Sequence, residues 1–466
     1  MKDELRPYPE YKSVDIPWLD KVPAHWKMQR MKHLFAQRNI RGFPHEPMLA
    51  ATQTKGVVRK DEYEIRTVLA LKDLHLLKLV EIGDFVISLR SFQGGIEYAR
   101  HRGIISPAYT ILYQNDDLDH GYYASLFKSR PFIGGLRLYV TGIRQGQNID
   151  YTRLSRSYLP LPPLIEQKAI SAYVKSINHR CARFIRNRRR LIEVLNEQKQ
   201  AIINRAVTRG LDPDVPLKHS RVDWLGEIPK SWVLKRFKYV VSIRSGQVDP
   251  KVAPYRDWVL IAPEHIEKHT GAIRLREAAH EQGAISGKYH VEPGEVMYSK
   301  IRPALRKAAI AEEKCLCSAD MYPLAPLGSE ILPEYLLLLL LYGPATRYLI
   351  DCSMRVAMPK VNRDALGNCW LWYPDVDTQR EIILSLKDEL LPLNTSLDHA
   401  QREIDLIREY RTRLISDVVT GKVDVRHLAP PPGSEDLKDT VEELEPLEED
   451  IADAVIDDEE SVNEPD

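Results

Sequence analysis

Stepping alternately by four and three residues from position 170 meets Ile170, Val174, Ile177, Cys181, Phe184, Arg188, Leu191, Leu195, Gln198 and Ile202, eight of them apolar. The other faces of this stretch are crowded with Arg, Lys, Glu and Asn. A seam repeating every 3.5 residues predicts a helix that lies along a partner helix. The same register 212 positions later gives Ile382, Leu386, Glu389, Leu393, Ser396, Ala400, Glu403, Ile407, Tyr410 and Leu414, with seven apolar positions. Leu390, Leu397 and Ile404 form a shifted stripe across the gaps, and Pro392 is expected to kink or interrupt this second helix. A helix over 166–208 would span roughly 65 Å. Outside these stretches, short apolar runs at 85–89, 109–113, 259–261 and 296–298 are punctuated by Gly and Pro and read as strands. Pro-rich joints, Leu159-Pro160-Leu161-Pro162-Pro163 and Trp372-Tyr373-Pro374, precede each helical stretch. Proline suits that place because it donates no backbone N–H to a helix interior.

The pattern occurs twice because the chain repeats itself. Trp18-Leu19-Asp20-Lys21-Val22-Pro23-Ala24-His25-Trp26 returns as Trp224-Leu225-Gly226-Glu227-Ile228-Pro229-Lys230-Ser231-Trp232, an offset of 206. Val80-Glu81-Ile82-Gly83-Asp84-Phe85-Val86-Ile87-Ser88 returns as Val291-Glu292-Pro293-Gly294-Glu295-Val296-Met297-Tyr298-Ser299 at 211. The offset is 212 at Pro162/Pro374, Gln167/Gln379, Glu197/Glu409 and Val207-Thr208/Val419-Thr420. A drift of only six residues means small loop insertions between two copies of one fold.

Charge changes the picture further. The formal net charge of zero hides sixteen acidic residues against the single Lys438 from Pro430 onward, leaving 65 basic against 50 acidic residues before it. A body at +15 suggests a polyanionic partner, most plausibly nucleic acid. The tail is dense in charge and poor in aromatics, a composition that predicts disorder. The longest apolar run, six leucines at 336–341, is far shorter than the ~20 residues of a membrane span, and no signal peptide is expected. Cys181, Cys315, Cys317, Cys352 and Cys369 form no C-x-x-C pair, so neither a disulfide framework nor a metal site is expected, and a cytoplasmic location fits.

Catalytic motifs are sparse. Gly283-Ala284-Ile285-Ser286-Gly287-Lys288-Tyr289 is one residue short of a phosphate-cradling loop and lacks the hydroxyl that would hold magnesium. Ser106-Pro107-Ala108-Tyr109 is a faint trace of a base-flipping tetrapeptide, without the second proline or a Gly-rich cofactor loop. No metalloprotease, nucleophile-elbow or clustered metal-ligand pattern is present. The residues therefore point to a non-catalytic chain.

Taken in order and twice over, three elements resemble the specificity subunit of bacterial type I restriction–modification enzymes, from about residue 8 to 425. They are the Trp224–Trp232 motif with its N-terminal copy, Pro160-Leu161-Pro162-Pro163-Leu164-Ile165-Glu166-Gln167 leading into a long helix, and the helix ends Ala206-Val207-Thr208-Arg209-Gly210 and Val418-Val419-Thr420-Gly421-Lys422. The resemblance implies an α+β fold with two pseudo-repeated globular DNA-recognition domains, 1–163 and 213–374. Spacer helices 164–212 and 375–425 would separate them and pack as an antiparallel coiled coil, and the acidic tail 426–466 lies outside the family pattern. The second helix entry, Pro374-Asp375-Val376-Asp377-Thr378-Gln379, departs from the first in lacking the double proline and the Glu-Gln pair.

Each domain would read one half of a split, asymmetric site on double-stranded DNA. Two modification (methyltransferase) subunits and restriction (nuclease/translocase) subunits would dock on the helices, carrying S-adenosylmethionine, ATP and Mg, with no cofactor in this chain. The coiled-coil seam would comprise Ile170, Val174, Ile177, Phe184, Leu191, Leu195, Ile202, Ile382, Leu386, Leu393, Ile407 and Leu414. Arg and Lys favour guanine, Asn and Gln favour adenine, and phosphate contacts supply the salt-sensitive remainder. The DNA-binding candidates are Ser88, Arg90, Arg144, Gln145, Gln147 and Asn148 in the first domain. In the second they are Ser299, Lys300, Arg302, Arg355, Lys360 and Asn362. Two rivals remain compatible with the residues: a self-contained DNA adenine methyltransferase or nuclease with degenerate motifs, and a coiled-coil scaffold that does not touch DNA.

Overall fold

Two long helices organise the chain. In the computed structural model, which describes residues 5–53, 55–62, 73–115, 117–141, 148–353 and 359–428, they are α1 (Leu164–Arg209) and α2 (Val376–Val419). Helix α1 starts directly after Pro162-Pro163, as the joint predicts. Helix α2 lacks that double proline and uses a cap in its place. The Asp375 carboxylate accepts from the Thr378 backbone N–H at 3.0 Å and from its hydroxyl at 2.8 Å, satisfying a donor that the helix start leaves orphaned. The helix continues through Pro392, so the interruption that was one of the two outcomes expected there does not occur. A single proline costs a helix interior about 3 kcal/mol, which packing on both sides can offset. The acidic tail lies outside the described residues.

The described chain divides into two compact units, 5–188 with 402–428 and 189–401, so each long helix is shared between them. In the first unit the strands β1 (Phe35–Arg38), β2 (Phe85–Ile87), β3 (Glu97–Tyr98) and β4 (Thr110–Gln114) form an antiparallel sheet in the order β1-β4-β2-β3. In the second, β5 (Val241–Ile243), β6 (Val296–Ser299), β7 (Ala308–Ile310) and β8 (Met321–Pro326) take the corresponding order β5-β8-β6-β7. A two-stranded ribbon leads into each helix, Lys27–Arg30 with Tyr158–Leu161 and Val233–Arg236 with Trp370–Tyr373. The sequence repeat is thus a repeat of topology.

Each core is sealed by the start of one helix and the end of the other. In the first unit Trp26, Phe35, Phe85, Tyr122 and Phe127 pack with Ile170, Val174 and Ile177 of α1 and with Leu414 and Val418 of α2. In the second, Trp232, Phe237, Tyr335 and Trp372 pack with Ile203 and Val207 of α1 and with Ile382 and Leu386 of α2. The leucine run forms the buried helix Pro333–Leu341 of this core. Equivalent tyrosines latch the helix ends, the Tyr122 hydroxyl donating to the Val419 carbonyl at 3.0 Å and that of Tyr335 to the Val207 carbonyl at 3.4 Å.

The helix starts are tied by buried glutamines at equivalent places. Gln167 accepts from the Asp119 N–H at 2.9 Å and donates to the Pro162 carbonyl at 2.8 Å. Gln379 accepts from the Leu332 N–H at 2.9 Å and donates to the carbonyls of Pro374 and Glu330. Only the first unit adds a buried carboxylate. Glu166 accepts from the Tyr8 hydroxyl at 2.6 Å and the Trp26 indole N–H at 2.9 Å, and meets His25 at 2.7 Å. Burial, reinforced by the hydrogen bond to Glu166, raises the Tyr8 phenol above its ordinary value and keeps it a donor.

Within each unit the two helix segments run antiparallel. In the first, the Arg411 Nε donates to the Asn178 amide oxygen at 2.7 Å, and Arg188 pairs with Glu403 at 2.7 Å. In the second, Lys199 donates to Asn394 at 2.8 Å and Arg205 faces Glu389 at 3.6 Å. Of the expected seam, Ile170, Val174, Ile177, Ile382, Leu386 and Leu414 are buried, while Phe184, Leu195, Ile202, Leu393 and Ile407 are half-buried. Leu191 is exposed, which corrects its assignment to the seam. Ile185 and Ile203, one position off the register, are buried too, as are Ala400 of the register and Ile404 of the shifted stripe. The cause is geometric: a helix of 3.6 residues per turn drifts about 20° per heptad against a 3.5-residue repeat, so after two or three heptads the counted positions have turned about 40–60° away from the stripe and a neighbouring residue lies as near its centre.

Candidate nucleic-acid interface

In the second unit β6 ends at Ser299, and the chain turns through Lys300, Ile301 and Arg302 into the short turn Pro303–Leu305. A distant segment returns to pair with it. The Val361 N–H donates to the Lys300 carbonyl at 2.8 Å and the Arg302 N–H to the Pro359 carbonyl at 3.0 Å, with Ile301 bridged to Lys360. Lys300, Arg302, Lys360 and Asn362, 58 or more positions apart across the two stretches, are thereby gathered at one end of the sheet. Arg302 and Lys360 are exposed there, and Arg302 holds a left-handed backbone (φ 46°) uncommon for a residue with a side chain.

Other members of the set are committed internally. Lys300 is buried, donates its ammonium to the Ala319 carbonyl and lies 5.2 Å over the Tyr322 ring. Burial lowers its pKa, and Lys360 adds to the effect. The Ser299 hydroxyl donates to the Ile301 carbonyl at 3.0 Å. Asn362 accepts from the Ala365 N–H at 2.7 Å and so caps the helix Arg363–Asn368. Lys300 and Ser299 are thus buried at the site and bonded within it.

Sequence reasoning missed Arg363. Its guanidinium donates to the carbonyls of Ile243 and Arg244 at 2.8 and 2.6 Å and stacks 5.1 Å over Tyr322, bracing the same platform. Nothing in the local sequence distinguishes it from a surface arginine, because its acceptors lie about 120 positions upstream.

The first unit repeats the frame with other side chains. Asp150 caps Tyr151–Leu154 by accepting from the Arg153 N–H at 3.1 Å, as Asn362 does in the second unit, which sets Asn148 at the place of Lys360. Asn148 is exposed and pairs with Thr141 across a short ribbon. Arg90 follows β2 and precedes the short helix Ser91–Gly94. Ser88 is buried, its N–H donating to the Ser91 hydroxyl at 2.9 Å. Arg144, Gln145, Gln147 and Arg355 lie outside the described residues.

A second matched device fixes the sheets. Arg38 makes a two-pronged ion pair with buried Asp84 at 2.7 and 3.1 Å, and Arg244 pairs with buried Glu295 at 2.5 Å. Each carboxylate also accepts a backbone N–H from its own turn, from Glu81 and Glu292 respectively. Among the described residues no group of three or more His, Cys, Asp or Glu could hold a metal ion, and no helix is long and apolar enough to cross a membrane.

The geometry on the page is that of two copies of one α+β frame. The chain is similar in fold, over 85% of its length and 98% of the other chain, to a chain of a type I R-M system solved to explain complex assembly and conformational transition, with a TM-score of 0.60 and 15% identity. In sequence it is similar to the EcoDI specificity subunit of Escherichia coli, 34% identical over 167 residues, 36% of each chain. It is also similar to the MjaVIII specificity subunit of Methanocaldococcus jannaschii, 28% identical over 170 residues, 36% of this chain and 38% of that one. The chain spans about a third of the length of these curated relatives in the match. No family model matches it. The sequence relatives are thus of the kind that the resemblance names, and the solved structure shares the fold.

Proposed function

We propose that this chain is the DNA-reading specificity subunit of a type I restriction–modification complex, recognising a bipartite, asymmetric duplex site and itself catalysing nothing. One observation carries the reading: the same frame occurs twice, with Arg90 and Asn148 in one copy where the other has Arg302 and Lys360. A repeated frame suits two half-sites, and the change from Asn148 to Lys360 beside a shared arginine suits two different half-sequences. On this reading residues 1–163 and 213–374 are the two recognition domains, and the paired helices form an antiparallel coiled coil whose length sets the spacing of the half-sites.

Partner docking follows from what the helices leave uncovered. Leu384 and Leu391 on α2 are 62% and 64% exposed, seven residues apart and hence on one face. Such a stripe is unusual on an isolated surface and suits a partner helix. We assign it to the two modification subunits, with restriction subunits joining the same assembly in the cytoplasm. S-adenosylmethionine, ATP and Mg then belong to those partners.

Replacing Arg302 and Lys360 together by alanine tests the DNA reading, because both are exposed and neither holds the core. Duplex affinity should fall, and the slope of log K against log salt should become shallower by about two, at ~0.9 per phosphate neutralised. Anisotropy titrations of the assembled complex measure it. An unchanged affinity and slope would remove these residues from the interface.

A further inference from the structure

The second unit holds a cavity of about 290 Å³ lined by Gln200 and Asn204 of α1, Trp224, Arg306, Tyr342 and Arg347, none of them assigned to base reading. Its chemistry is lopsided. Two guanidiniums face it, and among the described residues no carboxylate pairs with either. Arg306 is half-buried, and that burial, with Arg347 adding to it, lowers its pKa from the ordinary value. An arginine withdrawn from water without a counter-ion is a poor arrangement unless an anion supplies the missing charge.

The repeat shows that this feature is an addition to the frame. Arg306 closes the turn Pro303–Leu305 with a left-handed backbone (φ 47°), whereas the first unit closes its short helix Ser91–Gly94 with Gly95 at a positive φ (87°) of its own. An arginine is strained in the left-handed region, so the second unit carries a side chain here at a cost. Where the second unit has Arg347-Tyr348, the first has Gly134-Gly135. In the first unit Trp18 lies directly against Gly135, within 2.4 Å of where a Cβ would stand. In the second, Trp224 instead stacks on Tyr348 at 5.0 Å and stays partly exposed at the cavity wall. Behind the cavity the loop is held by the Tyr342 hydroxyl donating to the His269 carbonyl.

We propose that this cavity is a phosphate-binding site for a nucleotide-sized ligand, with Arg306 and Arg347 holding the phosphate and Trp224, Gln200 and Asn204 meeting the base. Arginine forks match phosphate oxygens, an indole face accepts any base by stacking, and the two amides offer both donors and acceptors. The phosphate belongs either to a free nucleotide or to a nucleic-acid strand. The two sources share this chemistry and differ in experiment.

Isothermal titration of the full chain with ADP, alongside salt-titrated duplex binding, tests the site. The wild type is compared with Arg347→Gln, which alters only an exposed side chain, and with the Arg306→Gln/Arg347→Gln pair, with thermal unfolding as a check on folding. For a free nucleotide, ADP affinity falls at least tenfold in the pair and several-fold in Arg347→Gln, and duplex binding stays the same. For a strand phosphate, ADP competes with duplex, and the duplex salt slope drops by about one or more in the pair. Failure of the wild type to bind ADP together with unchanged duplex binding by the variants overturns the proposal, as does equal ADP affinity in all three proteins. Loss of duplex binding in the Arg302/Lys360 variant is a separate outcome and leaves this one standing.

Discussion

Exchanging residues 213–374 for the matching region of another specificity subunit is expected to change one half of the recognised DNA sequence completely and leave the other half as it was. The expectation follows from how the second unit is built. Its sheet and the platform of Arg302, Lys360 and Arg363 are fixed by bonds that begin and end inside that unit, such as those from Arg363 to the Ile243 and Arg244 carbonyls. The contacts that must survive the exchange are those to the retained helices: the Trp372 indole N–H and the Tyr335 hydroxyl, which donate to the Val207 carbonyl at 2.6 and 3.4 Å, the bonds of Gln379 to Leu332, Glu330 and Pro374, and the packing on Ile203, Ile382 and Leu386. A donor that keeps them should seat its own domain on α1. Each mismatched base pair typically costs about 1–3 kcal/mol, so the old site should lose several orders of magnitude in affinity. Mapping methylated sites made by the reconstituted complex reads the outcome. Changes in both halves would mean that the recognition domains are not independent.

Glu166→Ala is expected to lower the stability of the first unit by about 3 kcal/mol or more, the scale for removing one member of a buried charged network. The substitution strands the Tyr8 hydroxyl and the Trp26 indole N–H, both buried, without their acceptor. Glu166→Gln retains one acceptor oxygen and should cost less. The second unit has no such carboxylate, since Thr378 stands at the matching place on α2 and is served by Asp375. Hydrogen exchange should therefore quicken in the helix His120–Phe127 and stay unchanged in Pro333–Leu341. Equal quickening in both helices, or none, would show that Glu166 is not the tie described above.

Much of the architecture was legible in the sequence because it is written in periodic and repeated residues. The offsets from Trp18/Trp224 to Gln167/Gln379 foretold two copies of one topology, and the Pro162-Pro163 joint placed the start of α1. Less legible was the division of each helix between two cores. The apolar stripe looks alike along its length, so Ile177 and Ile203 gave no sign that they would pack in different units. The seam at Leu191 failed because a residue-by-residue heptad count ignores the slow rotation of the stripe.

The candidate interface was legible in outline only. Arg302 and Lys360 are exposed where the strand-end argument put Arg302, yet their meeting depends on a backbone bridge between Ile301 and Lys360 that no local pattern announces. Ser88, Ser299 and Asn362 look like readers in a list of polar residues. Each is engaged in its own turn or cap: the Ser299 hydroxyl and the Asn362 amide bond backbone groups within three residues, and Ser88 meets the Ser91 hydroxyl through both its N–H and its own hydroxyl.

Hydroxyl-radical footprinting tests the central claim most directly, using a duplex that carries the methylated sequence and the chain assembled with its modification subunits. Two protected tracts of unlike sequence, separated by a stretch whose bases can be changed without loss of binding, are the predicted result, with Arg302→Ala/Lys360→Ala weakening only one tract. A single protected tract, or simultaneous loss of both in that variant, would contradict it.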